Sequence, residues 1–198
     1  KSDLFGFSFL FPSLIPILLH PSVRGAVTGL GPLDIALSAS MLRERSDPLE
    51  RGRKPILCYV TDLRAFEAAP APSAPRPSEP ESHRIHPLRD SIRRAAAAGI
   101  DWIQIREKDL ETRSLMELAR FAVAEAHATS TRVLVNDRLD VALAANAAGV
   151  HLGEKSLPLE AVAEWRRSAR RLDFLIGVSC HSLESARAAA RGGADYLF

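Results

Sequence analysis

An α/β fold is what this sequence predicts, with a parallel sheet in the form of an incomplete (β/α)8 TIM barrel. Three observations predict it. Apolar runs of strand length alternate strictly with helical periods, the connections are short, and polar residues collect at the C-terminal ends of the runs. Strict alternation places a crossover between successive strands, which makes them parallel. The runs are almost continuously apolar, as strands covered on both faces are. No G-x-G-x-x-G follows the first run, which argues against a doubly wound dinucleotide fold.

The elements follow in order. Within residues 54–63, Ile56-Leu-Cys-Tyr-Val60 reads as a buried strand and Thr61-Asp62 as its C-terminal loop. Residues 67–87 carry six of the thirteen prolines and almost no large apolar side chain, so they read as an extended, mobile loop insert. Leu88–Ala98 predicts a helix burying Leu88, Ile92, Ala95 and Ala96, closed by Gly99. Trp102–Lys108 and Arg132–Asp137 predict strands separated by the alanine-rich helix Arg113–Thr129. Asp140–Ala148 reads as a short helix that Gly149 ends, with Asp140 as its cap, and Val150–Gly153 as a strand. Pro158–Arg170 predicts a helix with proline in its first turn, and Phe174–Ser179 a strand. Leu183–Arg191 is a helix closed by Gly192-Gly193, and Asp195–Phe198 opens a sixth strand. A whole barrel has eight strands over about 250 residues, so the barrel part, residues 55–198, is read as C-terminally truncated.

Residues 1–40 read differently. Leu4–Leu19 is apolar and aromatic but broken by Pro12 and Pro16, so it is a poor helix. The segment is read as extraneous or targeting-like, with Met41 as the natural first residue and 41–54 as a polar lead-in. The 198 residues hold 26 basic and 24 acidic side chains, a net charge too small to suggest nucleic acid as a partner. Two cysteines exclude a disulfide scaffold, and no apolar run is long enough to span a membrane.

The chemistry sits at strand ends. In Gln104-Ile-Arg-Glu-Lys108, alternation puts Gln104, Arg106 and Lys108 on one face. An amide, a guanidinium and an ammonium converging there suit a phosphorylated ligand. Asn136 and Asp137 end the next strand with an amide and a hard carboxylate, a set suited to Mg²⁺ beside phosphate oxygens. His151 lies within the following strand, where a core histidine is also a fair reading, with Glu154, Lys155 and Ser156 in the loop beyond. Ser179, Cys180 and His181 end the fifth strand.

These runs, in this order, resemble the thiamine phosphate synthase family and its TenI relatives. The resemblance rests on Gln104-Ile-Arg-Glu-Lys108, Val135-Asn-Asp-Arg-x-Asp-Val-Ala-Leu-Ala144, Gly149-Val-His-Leu-Gly153, Gly177-Val-Ser-x-His-Ser182, Val60-Thr-Asp62 and Gly193-Ala-Asp-Tyr196, covering residues 56–198 apart from the insert. It implies a cytoplasmic transferase of thiamine biosynthesis that joins hydroxymethylpyrimidine diphosphate to thiazole phosphate, releasing pyrophosphate. It implies Gln104, Arg106, Lys108, Asn136 and Ser179 as contacts to the pyrimidine diphosphate, with Arg106, Lys108 and Ser179 serving catalysis. Asp137 would hold Mg²⁺, the partners would be small molecules, and a homo-oligomer is compatible. Two departures stand out: Ser156 occupies the position of the second magnesium-binding Asp, and the family's Gly-Pro-x-Phe-x-Thr-x-x-Lys segment does not follow. The alternatives are a TenI-type thiazole tautomerase with His181 as acid/base, and a non-catalytic barrel fragment.

Overall fold

The computed structural model describes residues 55–67, 80–153 and 155–198. The expectations for residues 1–54, for 68–79 of the insert and for Glu154 lie outside the described residues. Six strands are described: β1 (Cys58–Val60), β2 (Trp102–Ile105), β3 (Arg132–Asn136), β4 (Gly149–Leu152), β5 (Leu175–Val178) and β6 (Tyr196–Leu197). They pair in parallel in the order β1-β2-β3-β4-β5-β6. The helices are α1 (Leu63–Glu67), α2 (Glu81–Arg84), α3 (His86–Ala97), α4 (Thr112–Ala126), α5 (Leu139–Ala144), α6 (Leu159–Ser168) and α7 (Leu183–Gly192). Sequential parallel order with a helix in each crossover is the winding of a (β/α) barrel, of which these strands form an arc.

Alternation sorts the two faces of the sheet. Ile103, Ile105, Val133, Val135, Val150 and Ile176 point outward and join one core with Leu88, Ile92, Leu115, Leu118, Val141 and Val162 of the helices. On this side the Tyr59 hydroxyl bonds Ser91 Oγ of α3 at 3.0 Å. The helix stripes follow the 3.6-residue period: α3 buries Leu88, Ser91, Ile92, Ala95 and Ala96, and α4 buries Leu115, Leu118, Ala119, Ala122 and Ala126. Alanine on α4 brings that helix close to its neighbours, while Phe174 fills the space below α6, edge-on to Trp165 at 5.2 Å.

The inner face carries Trp102, Gln104, Leu134, Asn136, His151, Ser179, Tyr196 and Phe198. The sheet curls enough that Trp102 of β2 meets Tyr196 of β6, ring centroids 4.7 Å apart. His151 and Phe198 extend this group, at 5.6 and 5.0 Å between centroids of His151–Tyr196 and His151–Phe198. Gly177 is part of the same arrangement. A Cβ there would lie 2.0 Å from the Tyr196 ring, so only glycine lets the tyrosine lie across β5.

Several boundaries differ from expectation for definite reasons. The end of the insert is helical: α2 spans Glu81–Arg84, and α3 begins at His86 with proline in its first turn. Arg84 reaches back to Glu67 at 2.6 Å, so the segment returns to α1 through an ion pair. Helix α5 ends at Ala144, with Asn146 at φ 56° in the left-handed region rather than Gly149 closing it. Gly149 belongs to β4, where a Cβ would meet the Leu175 carbonyl at 2.4 Å. Asp140 lies inside the first turn of α5 and binds Arg138 through both oxygens, at 2.9 and 2.7 Å, instead of capping the helix.

The base of the sheet is tied by Asp195. Its Oδ2 accepts from Ile176 N at 2.7 Å and from Arg166 Nη1 at 2.5 Å. Arg166 also donates to the carbonyls of Phe174 and Gly193, locking α6 to both ends of the α7 unit. At the other end of α7, Ser182 and Ser185 form a reciprocal cap.

Candidate functional site

The C-terminal ends of β2 to β5 gather the polar residues. In register, Asn136 of β3 lies beside His151 of β4, which lies beside Gly177 of β5. Gln104 is 2% exposed, and its Nε2 donates to Asn136 Oδ1 at 3.0 Å. Asn136 Nδ2 in turn donates to Asp137 Oδ2 at 2.6 Å. A carboxylate only accepts, so it fixes the direction of the whole chain. Asn136 must turn its amine to Asp137 and its carbonyl to Gln104. Gln104 must spend its amine on Asn136, which leaves its own carbonyl oxygen. That oxygen is buried and has no partner among the described residues.

Asp137 is held from three sides. Its backbone sits at φ 61°, a left-handed conformation that Asp tolerates, and its N–H donates to the His151 carbonyl at 2.8 Å. Oδ1 accepts from Gly153 N at 3.0 Å and from the Ser156 hydroxyl. Ser156 Oγ also accepts from Gly153 N at 2.7 Å. Ser156 thus stands against the Asp137 carboxylate as a hydrogen-bond donor. A carboxylate has about four lone-pair positions, so one on Oδ2 is left for a cation. Magnesium takes one or two protein carboxylates and completes its shell with water and substrate phosphates. The donor set here meets the lower of those requirements. Among the described residues no group of three or more His, Cys, Asp or Glu side chains is arranged to hold a metal.

A second polar group centres on His151, which is 2% exposed. Its Nε2 lies 2.8 Å from Ser179 Oγ and its Nδ1 3.2 Å from the Tyr196 hydroxyl. Burial lowers its pKa to about 4, with Asp137 pulling upward and Arg106 pulling down. The ring is therefore neutral at pH 7. Burial also raises the Tyr196 phenol and pushes the Cys58 thiol up to about 12, so both stay protonated on this face. The sequence offers His151 as a strand residue with a core histidine as an equal reading and Tyr196 only as part of a motif; the structure makes them partners, because β4, β5 and β6 bring them together.

The cationic pair follows the end of β2. Strand β2 stops at Ile105, so Arg106 and Lys108 stand in the loop beyond it and not on a continuing strand face. Arg106 N donates to Thr61 Oγ1 at 2.9 Å, which ties the loop to the end of β1. Both side chains are exposed, and neither takes part in an ion pair among the described residues. Glu107 between them turns the other way. Its Oε2 accepts from Leu63 N at 3.1 Å, and burial raises its carboxyl pKa. His181 is exposed in the loop after β5, outside the inner group that includes Ser179. The structure thus joins Gln104, Asn136 and Asp137 in one chain and Ser179 to His151. It leaves Arg106 and Lys108 at the rim.

Parallel strands in sequential order, helices on the outer face and a polar cluster at the strands' C-terminal ends are the arrangement of part of a (β/α) barrel, with that cluster at the end where such barrels carry their active sites. The family model described as thiamine monophosphate synthase matches residues 79–198, and the chain belongs to that family. A protein described as a putative thiamine-phosphate synthase from Geobacter sulfurreducens is 48% identical over 103 residues, covering 52% of this chain and 46% of its own length. A thiamine-phosphate synthase from Halalkalibacterium halodurans is 41% identical over 117 residues, covering 59% of this chain and 54% of its own. The solved thiamine phosphate pyrophosphorylase from Pyrococcus furiosus superposes with a TM-score of 0.52 at 37% identity, covering 58% of this chain and 54% of that one. The chain spans about half the length of the curated relatives it matches.

Proposed function

We propose that this site binds hydroxymethylpyrimidine diphosphate, and that the whole protein couples it to thiazole phosphate, giving thiamine phosphate and pyrophosphate. The observation that carries the reading is a buried amide oxygen on Gln104 without a partner among the described residues, together with two exposed cations, Arg106 and Lys108, in the loop that follows the same strand and without an ion pair among those residues. An aminopyrimidine ring offers donors to the first, and a diphosphate offers charge to the second. Ser179 Oγ, held by His151, supplies a further polar contact on the neighbouring strand.

The reaction breaks the bond between the pyrimidine methylene carbon and the diphosphate oxygen. Charge builds on the departing diphosphate, where Arg106 and Lys108 stabilise it. Asp137 would hold Mg²⁺ through its remaining Oδ2 position, and the ion, when bound, neutralises diphosphate charge. The methylene cation is then captured by a neutral thiazole nitrogen, so no general base is required. Small molecules are the partners on this reading, and the cytoplasm is the place of the reaction.

Calorimetric titration of this chain with the pyrimidine diphosphate and Mg²⁺ tests it. Arg106→Ala is expected to weaken binding at least about tenfold and to leave the unphosphorylated alcohol unaffected. Equal affinity of the variant for the diphosphate would refute the assignment. A second reading, a thiazole tautomerase, draws support from Ser156, which gives Asp137 a donor instead of a second carboxylate. It requires His181→Ala to remove isomerisation while ligand binding persists. Full isomerisation in that variant would exclude it.

A further inference from the structure

The amide chain assigns Asp137 a role that needs no metal. We propose that Asp137 acts through Asn136 as a positioning residue that locks Gln104 with its carbonyl free, so that the site selects a hydrogen-bond donor on the ligand ring. The inference rests on the pyrimidine-binding reading and specifies how the ring is chosen.

The argument is one of polarity. Either amide could sit in either of two orientations by shape alone, since its oxygen and nitrogen are nearly equal in size. What breaks the symmetry is the acceptor-only group at the end. Asp137 Oδ2 takes the Asn136 amine at 2.6 Å, and Asn136 Oδ1 then takes the Gln104 amine at 3.0 Å. Reversing Gln104 would set its carbonyl against the Asn136 carbonyl. Asp137 cannot swing away, because Gly153 N and Ser156 Oγ hold its other oxygen. The buried Gln104 oxygen therefore needs a donor from the ligand. The exocyclic 4-amino group supplies it, whereas a 4-methoxy group would set an acceptor against that oxygen and leave it unsatisfied.

Exchanging the end group should turn the chain round. In Asp137→Asn, the new amide can offer its amine to Asn136. Asn136 then presents its own amine to Gln104, and Gln104 its amine to the ligand. Asn is favoured at left-handed φ, so the variant suits the backbone at this position. Adding Asn136→Asp to it places a carboxylate directly against Gln104 and restores the original direction without a carboxylate at 137.

The test uses 4-amino-5-hydroxymethyl-2-methylpyrimidine and its 4-methoxy analogue, phosphate-free and in EDTA, so that metal binding does not enter. The parent is expected to prefer the amino ring by about tenfold or more. Asp137→Asn should abolish or invert that preference, and Asn136→Asp/Asp137→Asn should restore it. Asn136→Leu, which cuts the chain, should lower the preference as well. An Asp137→Asn variant that keeps the amino preference, or loses both ligands alike, overturns the inference and leaves the diphosphate reading standing. A parent that binds neither ring overturns both.

Discussion

Ser156 shows how much one side chain decides at this site. Its hydroxyl stands against Asp137 and shares the Gly153 amide, so it holds the Asp137 carboxylate in place. In Ser156→Asp, two carboxylates would face each other across the same gap. We expect that variant to melt below the parent in EDTA, and millimolar Mg²⁺ to raise its melting temperature more than the parent's. Thermal melts with and without Mg²⁺ check this, and an equal response of the two proteins would count against Asp137 as a cation ligand. Gly177 is the second residue of this kind. Gly177→Ala puts a methyl group into the Tyr196 ring, with a cost of about 1–3 kcal/mol expected from overpacking. Urea midpoints should show the loss, and Tyr196→Leu in the same chain should relieve it. The sequence named Gln104, Asn136, Asp137 and Ser179 as polar residues at strand ends. Their hydrogen-bond directions are readable only in the folded sheet, where β2 meets β3 and β4 meets the end of β5.

Among the elements, the crossovers are stapled at the base and open at the mouth. Arg166 of α6 reaches Asp195, Phe174 O and Gly193 O, and its side chain is only 14% exposed. We expect Arg166→Ala to cost about 2 kcal/mol, since it removes three charge-assisted bonds and leaves Asp195 with one fewer donor. Arg166→Lys should recover only part of this, because an ammonium lacks the fork that spans three acceptors. Chemical denaturation of both variants checks the ranking. At the mouth, the sequence placed Arg106 and Lys108 on the strand face of Gln104. The strand ends at Ile105 because the backbone is diverted there: Arg106 N bonds the Thr61 side chain and Glu107 bonds Leu63 N. Both are contacts to the end of β1, more than 40 residues earlier, beyond the reach of local periodicity.

At the largest scale, the two faces of the sheet are covered differently. A parallel sheet must be covered on both sides. Helices cover the outer side, and Trp102, His151, Tyr196 and Phe198 pack across the inner side. His151 makes that cover sensitive to acid. Its pKa falls from 6.5 to about 4 on folding, so the folded state favours the neutral ring. The contribution is complete above pH 6.5 and is lost as pH falls towards 4, amounting to about 3 kcal/mol in the limit. We expect the urea midpoint of the parent to drop more steeply over that interval than that of His151→Asn. Parallel pH profiles would contradict the assignment.

Local patterns along the chain are enough for the alternation of strand and helix, the parallel sheet, the barrel winding and the family. These depend on short-range periodicity and on motifs that survive as strings. Such patterns also fix which polar residue types stand at the mouth, because a strand's C-terminal end is a local feature. Which of them touch depends on the folded sheet. The amide chain from Asp137 to Gln104 crosses two strands, and the His151 group joins β4, β5 and β6. The folded chain likewise decided that His151 is neutral, that Tyr196 lies over Gly177, and that Arg106 and Lys108 stand apart at the rim. Desolvation and hydrogen-bond direction depend on neighbours distant in sequence, and those neighbours are set when the sheet curls.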